Sequence, residues 1–566
     1  MRPNEAKEQA GKITGARFMA ETLKGYGITH VFFVEAILRY TLKELEALGI
    51  RRVLTHSEKA AAYMADGYAR ASRKFGVCMS QSVGAANIAS GLQDAFLGAS
   101  PVIALTGRAL PIAQHRHAYQ EIDHAPLFDA VTKFKALVET PDQLPYLLRQ
   151  AIREAMSGTP GPVHLDVMDL RGETLERAEG DWPVVIEEPF THLPPFRPEP
   201  EARRVDRAVE LLTSAERPVI VAGGGATVSQ AGPEILKLAQ MLSIPVATSL
   251  NGKGSIPEDH PLSLGVVGVY SRWCANRIVA EADLVFFVGS RTGDLVTNAW
   301  RVPKPGTPVI QIDIHPAELG RSYPNAVALF GDAKITLQRM ISRIKPKASP
   351  TPWAKHAQEL VQRWWEEVEP FSTSSQSPIR PERLCREIAQ ALPPDGILVA
   401  DTGLSAIWTG TLVPITQPSQ RYIRCAGSLG WGFPGALGVK CALPDRAVIC
   451  FTGDGGFFYH LSELETARRC GIHTVTVINN NHCLRQCMEN VHRVYGEDPG
   501  KREELYDFRE VNFAKIAEEM GCVGFRVEEA DQLAPVLQRA LKVDAPAVVD
   551  VVTAVDYTIA RPWAPM

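Results

Sequence analysis

The chain has 566 residues, too many for a single hydrophobic core, and three or four domains are expected. Hydrophobic residues at 45% and charged residues at 22% describe an ordinary globular protein and exclude a disordered or fibrous one. A net charge of −4 excludes the basic balance that nucleic acid or an anionic membrane would demand, and no apolar run nears the roughly 18 residues of a membrane span. Met1 to Glu8 lacks the apolar centre of a signal peptide. Ten cysteines with no CxxC pair fit reduced, structural thiols, so a cytoplasmic location is expected.

Helix and strand signals alternate from the start. Val31–Val34, Val77–Met79 and Val102–Leu105 are short apolar runs that suit buried parallel strands. Between the first two, Thr55-His-Ser-Glu58 opens an alanine-rich helix that reaches Asp66-Gly-Tyr-Ala-Arg70. A glutamate in a first turn is favoured by the helix dipole; a carboxyl there, if buried, also suits proton transfer, because burial raises its pKa. Ser80-Gln-Ser-Val-Gly-Ala-Ala-Asn87 reads as a loop, and Gln114-His-Arg-His-Ala-Tyr-Gln-Glu121 as a polar loop after Leu105-Thr-Gly107.

Glu187–Pro200 is proline-dense and acidic, as a linker would be. A second unit then carries strand candidates at Pro218–Ala222, Leu284–Val288 and Val309–Ile312. In it Gly223-Gly-Gly225 follows one strand and Gln311-Ile-Asp313 ends another. Such features suit either an adenine nucleotide (FAD, or the ADP part of coenzyme A) or a plain tight turn. Lys345–Pro381 reads as a second linker with a helix around Trp364-Trp365. The whole pattern predicts an α/β protein of three doubly wound parallel-sheet domains, at 13–186, 203–343 and 382–557. A nicotinamide-linked dehydrogenase is disfavoured, since no GxGxxG turn opens the first helix.

The third unit holds the most specific motif. Ala447–Phe451 is an apolar strand that delivers Gly453-Asp454-Gly455-Gly456 to its carboxyl end; a helix over Leu461–Arg469 follows, then a strand, His473–Ile478, that delivers Asn480-Asn481 to the same edge. A carboxylate plus an amide, completed by phosphate and water, suits magnesium, and glycines let backbone N–H groups approach phosphate. Upstream, Asp401-Thr-Gly-Leu-Ser-Ala406 joins a strand to a helix and offers N–H groups to an anion. Cys425-Ala-Gly-Ser-Leu-Gly-Trp-Gly-Phe-Pro-Gly-Ala-Leu-Gly438 is a glycine-rich turn that opens a helix.

The strand–GDGG–helix–strand–Asn-Asn order, with the three-unit layout, resembles the thiamine diphosphate (ThDP) enzymes of the acetolactate synthase, pyruvate oxidase and pyruvate decarboxylase group. The Glu58 helix is similar to that group's activating-glutamate helix. The resemblance implies pyrimidine, central and diphosphate domains. It implies magnesium held by the Asp454 and Asn481 side chains and the Cys483 carbonyl, and Glu58 as the acid that activates the cofactor. Gly403, Leu404 and Ser405 would touch the diphosphate together with Gly453, Gly455 and Gly456. Leu429 would wedge under the bent cofactor, and the Gly427 carbonyl would receive its amino group. Gln120, His115, His117 and His482 are the implied substrate-side polar residues. In that group the acid and the metal clamp meet across a subunit interface, which implies a homodimer at least, commonly a tetramer.

The implied activity is ThDP- and magnesium-dependent cleavage or formation of a C–C bond beside a carbonyl, on a small-molecule substrate such as a 2-keto acid. A 2-hydroxyacyl-CoA lyase or oxalyl-CoA decarboxylase-like enzyme is the alternative, and a catalytically silent ThDP-binding protein is an alternative of another class. Some segments depart from the group. Val31-Phe-Phe-Val-Glu-Ala36 lacks a glycine–proline–glycine turn, so Phe33 and Glu35 would alter the pocket wall. Val83 stands where proline is usual, and His482–Met488 and Leu165–Leu170 differ from the acetolactate synthase segments. These departures argue against a strict acetolactate synthase. Ser290-Arg-Thr-Gly-Asp294 departs from the flavin-contacting loop, so tightly bound FAD is not expected.

Overall fold

The computed structural model describes residues 11–347, 349–496, 498–556 and 563. They form two compact units. One comprises the described chain up to Phe196 with Pro434–Pro444 and Glu465–Ile472; the other comprises Arg197–Phe433, Asp445–Leu464 and the residues from His473 on.

The first unit is built on a six-stranded parallel sheet: β1 (His30–Phe33), β2 (Arg51–Leu54), β3 (Gly76–Gln81), β4 (Val102–Arg108), β5 (Phe134–Val138) and β6 (Val163–Met168), in the order β2-β1-β3-β4-β6-β5. Its inner strands are buried along their length, which is why they read as unbroken apolar runs. On the β2 edge only Val53 turns inward.

Helix Glu58–Ser72 starts where the Ser57 side chain accepts the Ala60 N–H at 3.1 Å, and it ends at Arg73, whose φ of 63° no helix continues. Its small alanines let it bury most of its surface. Arg70 forks onto the buried Asp66 through two 2.7 Å bonds and reaches Asp94 at 3.1 Å, tying this helix to helix Ser82–Gly98. The Asp-Gly-Tyr-Ala-Arg stretch is therefore a structural clasp, with both carboxylates compensated by one guanidinium.

The second unit holds two six-stranded parallel sheets. The central one has β7 (Pro218–Ala222), β8 (Val246–Thr248), β9 (Ser263–Val266), β10 (Leu284–Val288), β11 (Val309–Asp313) and β12 (Val327–Phe330), ordered β9-β8-β7-β10-β11-β12. The other has β13 (Ile397–Ala400), β14 (Arg421–Arg424), β15 (Val448–Gly453), β16 (Val475–Asn480), β17 (Val523–Val527) and β18 (Ala547–Val552). Its order, β14-β13-β15-β16-β18-β17, repeats that of the first unit.

Lys345–Pro381 is more than a linker. Its helix, Pro352–Ser372, buries Trp353, Leu360, Trp364 and Val368 in one apolar cluster with the β10, β13 and β16 residues Val285, Leu398 and Val477. The Arg272 guanidinium lies 4.8 Å from the rings of both Trp364 and Trp365. Arg272 and Lys253 converge on the buried Glu258 at 3.0 and 2.5 Å and donate to the Thr411 and Gly410 carbonyls. That cluster fastens the central sheet to helix Leu404–Leu412, which begins at the predicted diphosphate turn.

Candidate active site

Doubly wound sheets bind ligands outside the carboxyl ends of their strands, where the strand order reverses. In the third sheet the reversal falls between β13 and β15, and the turns after these two strands are Asp401–Ser405 and Gly453–Gly456. The turns abut: a Cβ added to Gly453 would lie 3.9 Å from the Ser405 hydroxyl. Gly403 has φ 68° and ψ −138°, which a side chain could not adopt cheaply, and it turns the chain into helix Leu404–Leu412.

Asp401 joins the parts. Its carboxylate accepts the N–H groups of Thr402 at 2.6 Å, Gly430 at 3.2 Å and Gly432 at 2.9 Å. The glycine-rich segment is thereby held beside the clamp, with Leu429 half-buried and Gly427 exposed. Reading the sequence assigned Asp401 no role; an acid directly after a strand and before a glycine turn was the available signal.

Strand register places Asn479 opposite Gly453, so Asn481, the residue that follows the neighbouring strand, leaves the sheet at the same edge as the clamp. Asn480 is taken up by structure, donating to the Asp550 carboxylate at 2.9 Å and to the Val511 carbonyl at 3.0 Å. Asn481 Oδ1 accepts only the Cys483 N–H, at 3.2 Å, among the described residues. Cys483 is buried, and burial pushes its thiol up to about 12, so sulfur chemistry is not what it offers here. His482, at φ 58°, turns the chain between them. The expected helix over Leu461–Arg469 is found as Glu463–Cys470, and a short helix, Asp454–Phe458, precedes it. Gln486 follows in helix Arg485–Tyr495, and a Cβ on Gly403 would meet its Oε1 at 2.5 Å.

Asp454 supplies the test of whether a cation fits. Its Oδ1 accepts the Gly455 N–H at 2.7 Å, while its Oδ2 is buried and has no hydrogen-bond partner. Burial pushes the carboxyl up to about 7 against the lowering pull of the nearby Gly455, His482 and Cys483 N–H groups, and Asp550 also raises it. A buried carboxylate with a spare oxygen is costly unless a cation or donor meets it, and a hard divalent cation does so. Among the described residues there is no cluster of three or more His, Cys, Asp or Glu side chains.

The other half of the predicted site lies in the first unit. Ser80–Asn87, read as a loop, instead completes β3 and opens helix Ser82–Gly98. The first turns of that helix seat Glu58. Asn87 Nδ2 donates to Glu58 Oε2 at 3.0 Å, and a Cβ on Gly84 would sit 2.6 Å from Glu58 Oε1, so only glycine leaves the carboxylate its place. Neither residue was singled out from sequence. Glu58 is half-buried and stands in the first helical turn after the edge strand β2.

Gln120 lies on the loop beyond β4 with φ 56°; its Oε1 is buried without a partner and its Nε2 donates to the Tyr119 hydroxyl at 3.1 Å. His115 and His117 share the left-handed conformation, at 61° and 55°, but are exposed on the outer part of the loop. Phe33 is buried within β1, and Glu35 pairs with Arg39 at 2.5 Å. In the central sheet, the Gly223 and Gly225 N–H groups donate to the Val288 and Gly289 carbonyls at 2.9 Å. The triple glycine thus serves backbone-to-backbone packing first.

Comparison with known proteins agrees with this geometry. Residues 13–127 match the family profile "Thiamine pyrophosphate enzyme, N-terminal TPP binding domain", 205–340 its central domain and 401–551 its C-terminal TPP binding domain. The chain belongs to the thiamine diphosphate-dependent enzymes. Within that family it falls in the acetolactate synthase group: it is 34% identical to a probable acetolactate synthase large subunit of Methanocaldococcus jannaschii, over 98% of this chain and 94% of the relative. Similar relatives are an acetolactate synthase of Arthrospira platensis (31%, covering 97% and 95%) and the acetolactate synthase large subunit of Haemophilus influenzae (28%, covering 94% and 93%). The fold is that of three α/β domains with parallel sheets, and the function is ThDP-dependent carboligation or decarboxylation. No helix among the described residues is long and apolar enough to cross a membrane.

Proposed function

We propose that the protein decarboxylates a 2-keto acid such as pyruvate and joins the remaining acyl unit to a second carbonyl, using magnesium and ThDP. Bound ThDP supplies a carbon nucleophile and an electron sink. Glu58 holds and returns a proton at the pyrimidine ring. Asp454, Asn481 and the Cys483 carbonyl would hold magnesium, and the N–H groups of Gly403–Ser405 and Gly453–Gly456 would bind the diphosphate. Leu429 and Gly427 shape the cofactor's bend, and Gln120, with His115, His117 and His482, faces the substrate.

The observation that favours an enzyme over a silent cofactor binder is the seat of Glu58: Gly84 and Asn87 shape a pocket for its carboxylate yet leave it accessible. A purely structural site needs no such acid. We further read the working form as a homodimer, and a tetramer is compatible with it. Glu58 and Asp454 belong to different units, and helix Ser82–Gly98 exposes an uncharged face with Val83 next to the Glu58 seat and Phe96 and Leu97 near its far end. Such a face suits burial by a second copy.

Incubation with pyruvate, ThDP and magnesium, followed by NMR, tests the activity. Carbon dioxide release with a new C–C-bonded hydroxyketo acid is expected. Unconsumed pyruvate, alone and with a second keto acid present, would contradict the proposal.

A further inference from the structure

Ser82, His124 and Asp166 come from three separate segments of the first unit, and each is 1% exposed. The Ser82 hydroxyl donates to the Gln120 carbonyl and lies 3.0 Å from His124 Nε2. On the other side of the ring, His124 Nδ1 lies 3.1 Å from both Asp166 oxygens. A second branch supports the acid: Thr106 Oγ1 donates to Asp166 Oδ1 at 2.8 Å and lies 2.6 Å from His164 Nε2. Phe128 stacks on the His164 ring with centroids 3.5 Å apart.

Donor counting fixes the direction of the chain. A serine hydroxyl has one hydrogen, and the Gln120 carbonyl takes it. His124 bridges the Ser82 hydroxyl on one side of its ring and the Asp166 carboxylate on the other, and Ser82 carries the hydrogen-bonded chain on to the Gln120 backbone. The order is that of a hydrolytic triad, but a nucleophile must reach a substrate. Ser82 is sealed, and its hydrogen is already committed. Its effect is on shape.

That shape needs support, because Gln120 is a non-glycine residue at φ 56°, a conformation that persists only where the surroundings hold it. Ser82 also stands in the first turn of the helix whose Gly84 and Asn87 seat Glu58. We propose that Ser82, His124 and Asp166 are positioning residues: a buried relay that pins the Gln120 loop to the helical turn holding the activating acid. The relay keeps a fixed spacing between the acid and the amide that faces the substrate. This inference rests on the proposed reading of Gln120 as substrate-facing.

The test uses the full-length holoenzyme with saturating ThDP and magnesium, and the variants Ser82→Ala, Ser82→Thr, His124→Asn, Gln120→Ala and the Ser82→Ala/Gln120→Ala pair. Ser82→Ala and His124→Asn should each lower kcat/KM for pyruvate about tenfold through misplacement of the loop. C2 proton–deuterium exchange of bound ThDP should stay within about twofold of wild type, since the Glu58 seat is untouched. The double variant should be no worse than Gln120→Ala alone, and Ser82→Thr should restore activity. Intact exchange with wild-type kinetics in Ser82→Ala, or losses that multiply in the double variant, would overturn the relay alone. Absent exchange in the wild type would overturn the functional reading and the relay together. Because Ser82→Ala removes only a hydroxyl, it carries the test if His124→Asn does not fold.

Discussion

Glu58→Gln should lower C2 proton–deuterium exchange on bound ThDP, and turnover with it, by about 10²–10⁴-fold, the usual worth of a positioned acid–base group. Glutamine has nearly the same volume, so the space left by Gly84 still accommodates it, and its amide oxygen can accept the Asn87 donor. The variant should therefore fold, bind cofactor and fail at the proton step. Thermal melting and ThDP titration serve as controls. Equal exchange in wild type and variant would remove Glu58 from the chemistry and return it to its other role, an acid at a helix N-terminus.

Asp454→Asn should have the largest effect on cofactor uptake. Losing one partner of a buried charge pair costs about 3 kcal/mol or more, roughly a hundredfold in ThDP affinity with magnesium present. Without ligand the sign reverses. Asp454 carries a buried oxygen with no partner and a carboxyl pushed up to about 7 by desolvation, so a neutral isostere relieves the empty site. Calorimetric titration and thermal melting read both effects: the variant should melt at or above the ligand-free wild type, yet gain little on adding ThDP and magnesium. A variant that binds as wild type does would place the metal elsewhere.

How much of this was legible in sequence depended on burial and on distance along the chain. Strands buried on both faces announced themselves, as at Leu284–Val288 and Val448–Gly453. Edge strands did not. Arg51–Leu54 buries only Val53 and Phe134–Val138 only Val138, and arginine or lysine shortens the apolar stretch in each. Ser80–Asn87 looked like a loop because glycine and serine mark turns, yet Gly84 lies in a helix, where its missing side chain makes room for Glu58.

The clamp was readable because Gly453–Gly456 and Asn481 sit at ends of adjacent strands, and sheet register carries such pairs across the edge. The relay was not, since Ser82 and His124, and again His124 and Asp166, are 42 positions apart and only the packed sheet brings them together. The group resemblance was carried by motifs whose proposed role is to contact the cofactor, where chemistry limits the choice of residue. The surrounding polar residues are free to differ, and here they do.

Glu58 of one copy and Asp454 of the other, residues of different units of the chain, are proposed to serve one cofactor. Co-expressing differently tagged Glu58→Gln and Asp454→Asn chains, purifying through both tags and measuring C2 exchange tests this directly. If each site takes its acid from one copy and its clamp from the other, half the sites in the mixed dimer are intact, and exchange should return to roughly half the wild-type rate. Mixed dimers that remain as inactive as the two parent variants would contradict it.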